Sequence, residues 1–131
     1  MDLEKFYSVF PWPMRPEDPR AQRRFSSIVD LFNFLIDNHP FFKFLKDRER
    51  VKILDVMAGS GIAGAALAKV LTLRNLKVSL TVSDVRASDL SFVYEWLKGV
   101  NGVEVETLVA EVSKIHEAIP ERAGYYDIVL L

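Results

Sequence analysis

From Val51 onward, short apolar runs alternate with longer segments whose apolar and small residues recur at helical spacing. Residues 51–56 form an apolar run broken only by Lys52 and ended by Asp55, which reads as a buried strand. Gly59-Ser60-Gly61 is a turn, and residues 62–73, rich in alanine, predict a helix. A second strand follows over residues 78–82, ending at Ser83-Asp84. Ser88 is placed to cap a helix running through Leu97, closed by Gly99 and the Asn101-Gly102 turn. Residues 103–108 predict a third strand, residues 113–119 a short helix stopped by Pro120, and residues 126–131 a fourth strand. Strands separated by helices of this length pair in parallel through right-handed crossovers. The expected fold is a doubly wound, Rossmann-like α/β sheet.

The first fifty residues have another character, since eight of the nine phenylalanines lie there. Asp18-Pro19 is a helix start with proline at the first helical position. Phe25, Ile28, Val29, Phe32, Leu35 and Ile36 then make one apolar helical face. Asn38-His39-Pro40 breaks that helix, and residues 41–48 predict a second short one. Phe10-Pro11-Trp12-Pro13-Met14 cannot be helical and reads as an extended arm, packed on the core or lying over a ligand as a lid. Residues 1–50 are thus an arm and helices packing on the core, and residues 51–131 are the domain that carries the chemistry.

Gly59, Gly61 and Gly64 spell G-x-G-x-x-G between a strand and a helix. A tight turn without side chains lets backbone approach a ligand at the first crossover. Read that way, a valine at Gly61 would put its Cβ into ligand space. The alternative is purely structural, with Gly64 and Ala65-Ala66 letting the helix lie close on the sheet. Asp84 follows Gly64 by twenty residues, at the tip of the second strand, where a carboxylate can accept hydrogen bonds from both hydroxyls of a ribose. Alone, Asp84 would equally suit a turn or helix cap. Asp55 distinguishes between adenosine ligands. A pyrophosphate needs free backbone N–H groups and a helix N-terminus, and an acid at that point repels it. An ammonium or sulfonium ligand reverses the preference.

With these residues the chain resembles the class I S-adenosylmethionine-dependent methyltransferases. Their first motif places an acid four residues before the central glycine of the turn, here Asp55 and Gly59, followed by Gly61. The resemblance covers roughly residues 51–131 and implies the strand order 3-2-1-4. It implies that Asp55 and the Gly59–Gly61 backbone hold the methionine part of S-adenosyl-L-methionine, Asp84 the ribose, and Glu111 the adenine amino group. The full cofactor-binding set it implies is Asp55, Met57, Ala58, Gly59, Ser60, Gly61, Asp84, Val85, Glu111 and Val112. Tyr126-Asp127-Ile128-Val129-Leu130 looks like the family's fourth-strand motif, with Asp127 closing the preceding loop. One departure is Met57, where the family commonly has glycine. The family's sheet continues past the fourth strand, and its catalytic residues commonly follow it. Catalytic groups are therefore expected beyond Leu131, and the chain is expected to be a fragment or one half of an assembly completed through the fourth strand.

Composition narrows the picture further. A net charge of −1 over 131 residues gives no global pull toward nucleic acid or anionic membranes. The chain has no cysteine, which excludes a disulfide scaffold, thiolate zinc sites and a cysteine nucleophile. His39 and His116 have no partners at metal-ligand spacing. No apolar run reaches membrane-spanning length and no signal-peptide pattern opens the chain, so a cytoplasmic protein is expected. Arg15, Arg20, Arg23 and Arg24 form one basic cluster, suited either to nucleic-acid phosphates or, with Glu17 and Asp18 alongside, to a solvated helix start. Three activities remain: a methyltransferase of unspecified acceptor, a nucleic-acid base among the candidates; an NAD-dependent oxidoreductase, which Asp55 opposes; and a non-catalytic partner subunit that keeps the cofactor fold.

Overall fold

A computed structural model of the protein describes Asp2, Lys5 and residues 15–131. The arm expected at residues 10–14 lies outside the described residues. Four strands make one open, all-parallel sheet: β1 (Arg50–Asp55), β2 (Lys77–Asp84), β3 (Val103–Val109) and β4 (Ile128–Leu130). Their order is β3-β2-β1-β4, as expected for a Rossmann-like α/β fold. β1 sits between β2 and β4, with Ile53 opposite Leu80 on one side and Ile128 on the other.

The helix α1 (Pro19–Asn38) starts as its sequence requires. Asp18 accepts a hydrogen bond from the Arg20 N–H at 2.8 Å, and Pro19 stands where no N–H is needed. Ala21 and Phe32 are buried, and Phe25, Ile28, Val29, Leu35 and Ile36 pack against the core. The expected apolar face is the one α1 lays on α2 (Ile62–Thr72). In turn α2 lies on β1 and β2, and it can do so closely because residue 64 is glycine. A Cβ there would come within 2.9 Å of both Asp55 Oδ2 and Leu80 Cδ1.

Three expected elements take a different form. The second short helix is a 3₁₀ helix, Pro40–Asp47, started by Pro40 and by His39 Nδ1 accepting from the Phe41 N–H at 3.1 Å. Instead of one helix capped by Ser88 there are two short ones, α3 (Ala87–Leu90) and α4 (Val93–Trp96), and Ser88 lies inside the first. The Ser91 hydroxyl donates to the Ser88 carbonyl, offering the chain a local bond in place of the helical ladder. Past β3, a 3₁₀ turn at Val112–Lys114 leads into α5 (Ile115–Ala118), which replaces the single helix expected there. β4 is shorter than its apolar run. Tyr126 and Asp127 precede it, and Asp127 locks the entry by accepting from the Lys52 N–H at 2.9 Å and pairing with Arg48 at 3.2 Å.

The sheet's two faces differ. Val51, Ile53, Val78, Leu80 and Val82 point toward α2 and are buried. On the other face Arg50 donates to Ser79 at 2.9 Å, Thr81 bonds Glu106 at 3.2 Å, and Tyr126 bonds Thr81 at 2.9 Å. Arg122 closes that ladder as a two-nitrogen pair with Glu106, holding the glutamate's carboxyl below its usual range. Among the described residues no helix is long and apolar enough to cross a membrane.

Candidate functional site

In a parallel sheet the loops that leave the carboxyl ends of the strands gather at one rim. Here that rim holds a cavity of about 550 Å³. From the end of β1 come Met57, Ala58 and Gly59; from β2 come Asp84, Val85 and Arg86, with Asp89 of α3; from β3 come Ala110, Glu111, Val112 and Ser113. Ile62 at the start of α2 and Arg24 of α1 complete the lining.

The glycine loop is shaped by alternate left-handed residues: Met57 at φ 54°, Gly59 at 59° and Gly61 at 77°. Glycine adopts this conformation freely and methionine does so at a cost of roughly 1–2 kcal/mol. Position 57 is thus a place where backbone geometry favours glycine, while the Met57 side chain stands 71 % exposed at the cavity. The loop is pinned at several points. Ala58 N–H donates to the Ser83 carbonyl at 2.9 Å, tying the β1 exit to β2. Gly59 N–H donates to Asp84 Oδ2 at 2.8 Å, and Asp84 Oδ1 accepts from the Arg86 N–H at 3.1 Å. Asp84 therefore organises both loops of the rim, with lone pairs left on each oxygen for a ligand.

Asp55 lies behind the loop. It is 3 % exposed, and its Oδ2 accepts from the Gly64 N–H, in the first turn of α2, at 2.9 Å. Burial pushes its carboxyl up to about 7, the Gly64 bond works the other way, and the charge of Asp84 adds to the rise.

Seven of the ten residues singled out in the sequence meet at the cavity: Met57, Ala58, Gly59, Asp84, Val85, Glu111 and Val112. Asp55, Ser60 and Gly61 do not line it. Ser60 is fully buried and accepts from the Trp96 indole N–H at 3.2 Å, while Trp96 stacks on Phe25 of α1 at 4.8 Å. A Cβ on Gly61 would meet Val93 Cγ2 at 2.9 Å and Val82 Cγ1 at 3.3 Å, so its free side faces the core and not a ligand. The expectation that a valine there would fill ligand space is corrected accordingly.

Sequence reasoning missed six lining residues, Ile62, Ala110, Ser113 and the charged Arg24, Arg86 and Asp89. Arg86 and Asp89 pair across one helical turn at 3.1 Å, a spacing that the sequence does display. Arg24 belonged to the basic cluster, which the fold disperses: Arg20 pairs with Asp18 at 2.8 Å, and Arg15 lies over the Phe92 ring. Among the described residues no group of three His, Asp or Glu side chains is arranged to hold a metal ion. No protein-family model matches this chain, and a search of curated proteins returns no significant match.

Proposed function

We propose that the rim cavity binds S-adenosyl-L-methionine and that the chain is the cofactor-binding part of a methyltransferase. The observation that carries this reading is where the glycine loop sends its N–H groups. Gly64, in the first turn of α2, donates to Asp55, so a carboxyl occupies the helix entrance that a pyrophosphate would need, and Gly59 of the preceding turn donates to Asp84. Such an entrance disfavours NAD and suits a ligand that is cationic and has no phosphate. The donor set fits in other respects. Asp84 offers acceptors for ribose hydroxyls, and Glu111 offers one for an exocyclic amine. Val85, Val112 and Ile62 offer apolar surface for a base. About 550 Å³ lies within the roughly 300–1,000 Å³ usual for small-ligand sites.

On this reading Asp55 acts through the loop: a cation beyond the Gly59–Gly61 turn, without touching it, would favour the charged form of a carboxyl that burial pushes up to about 7. The cofactor would supply an electrophilic methyl group, and the protein would hold it in line with an acceptor. A nucleic-acid base is among the candidate acceptors. Isothermal titration with S-adenosylmethionine, S-adenosylhomocysteine and NAD tests the reading. The first two are expected to bind, and Asp84→Ala to weaken both by on the order of tenfold or more through loss of charge-assisted hydrogen bonds. Binding of NAD alone would overturn it in favour of an oxidoreductase.

A further inference from the structure

A second cavity, of about 850 Å³, opens at the opposite end of the sheet. Its lining comes from the end of α1, the 3₁₀ helix Pro40–Asp47, and Arg74, Asn75 and Leu76 just before β2. The eight residues of β2 separate it from the rim cavity by roughly 25 Å at about 3.3 Å per residue.

The chemistry of this cavity is one-sided. A 3₁₀ helix repeats every three residues, so Lys43 and Lys46 stand one above the other and both reach the cavity. Phe42 and Leu45, one position earlier in the same repeat, form its apolar wall with Ile36 and Leu76. His39 Nδ1 is committed as acceptor to the Phe41 N–H, which leaves Nε2 as a donor. The lining's one carboxylate, Asp37, is taken up by Arg74 at 2.8 Å, and Arg48 pairs with Asp127. Asp47 and Glu49 lie near in the chain and do not line the cavity. Two lysines and a histidine with a free imidazole N–H thus share the lining with an aromatic ring and aliphatic chains.

We propose that this cavity is a second binding site, for a nucleotide: its phosphate on Lys43, Lys46 and His39, its base against Phe42. A free nucleotide and one residue of a nucleic-acid strand present the same chemistry, and about 850 Å³ accommodates either. The site owes nothing to the cofactor reading, since the two cavities share no residue.

Titration of the full chain with uridine 5′-monophosphate, uridine, inorganic phosphate and a uridylate tetranucleotide tests the proposal. Uracil is chosen because it lacks the exocyclic amine to which the rim cavity's Glu111 is suited. The monophosphate is expected to bind more tightly than uridine or phosphate alone, with affinity falling as salt rises. A tighter tetranucleotide would assign the site to a strand, and equal affinity to a free nucleotide. Lys43→Gln/Lys46→Gln is expected to weaken binding by more than about tenfold, since each lysine's charge-assisted hydrogen bond is of that size. Both lysines are exposed, so the thermal melt should not move. Saturating S-adenosylhomocysteine is expected to leave uridine monophosphate binding unchanged. Failure of both nucleotide probes to bind, indifference to the double substitution, or competition by S-adenosylhomocysteine would each overturn the proposal.

Discussion

At the scale of single residues, the carboxylate of Asp55 and the missing side chain of Gly61 each have a measurable consequence. Asp55 titrates near 3.8 when unfolded and at about 7 in the native protein, chiefly because burial disfavours its charge. Between those values the native state holds a proton that the unfolded state has released, so stability falls as pH rises from about 4 to 7 and the penalty is constant above. Asp55→Asn keeps an acceptor for Gly64 and cannot ionise. Urea unfolding across that range should show the variant gaining on the native protein by on the order of 1–3 kcal/mol toward neutral pH. A constant difference between the two would show that Asp55 does not carry the penalty. Asp18, Asp37 and Glu106, whose carboxyls are held low by arginine partners, act in the opposite sense at more acid pH and are common to both proteins. Gly61→Val meets two obstacles at once, a φ of +77° and the Val93 side chain at 2.9 Å. Its expected effect is a loss of stability on the order of 3 kcal/mol or more, seen as a lowered unfolding midpoint. Undiminished stability would mean that the loop is free to move away from α4.

Among the elements, the N-terminal helix and the glycine loop are joined through one side chain. Trp96 of α4 stacks on Phe25 of α1 and donates to Ser60 of the loop, so three separate segments meet at a single indole. Trp96→Ala should cost about 3–5 kcal/mol. Trp96→Phe keeps the stack but strands the buried Ser60 hydroxyl, and should cost nearer 1–3 kcal/mol. An unchanged stability in Trp96→Phe would mean that the indole bond contributes nothing. Much of this architecture was legible beforehand. The four strands, α2 and the inward face of α1 follow from apolar spacing, and Asp84 and Glu111 from their places at strand ends. What was not legible has physical reasons. Whether Ser60 and Gly61 face the ligand or the core depends on three alternating left-handed residues, which spacing alone does not reveal. The break at Ser91-Phe92 arises where Ser88, Asp89 and Ser91 weaken a helix that only buried Leu90, Val93 and Trp96 would otherwise define. The 3₁₀ helix did carry a signal. Phe41 and Phe44, Phe42 and Leu45, and Lys43 and Lys46 repeat every three residues, a period that a search for 3.6 passes over.

For the molecule as a whole, the edge strand β4 is where the backbone is open to another chain. β4 pairs with β1 on one side, and Val129 is 54 % exposed beside it. Edge strands with apolar side chains invite pairing. Sedimentation should therefore show association that rises with concentration, and Val129→Lys should reduce it; a monomer at all concentrations would count against β4 as the contact. The sheet order has a further consequence during synthesis. β1 lies in the middle of the sheet, yet its second neighbour is the fourth strand made: Lys52 and Asp127, which bond across that seam, are 75 residues apart in the chain. At about 5–20 residues per second, the open edge of β1 waits roughly 4–15 s for its partner after leaving the ribosome. During that wait its edge groups, with the wholly apolar Val51 and Ile53 between them, are available to any other nascent strand. The β1–β4 seam is thus also the interval in which a holding chaperone would matter to the yield of folded protein.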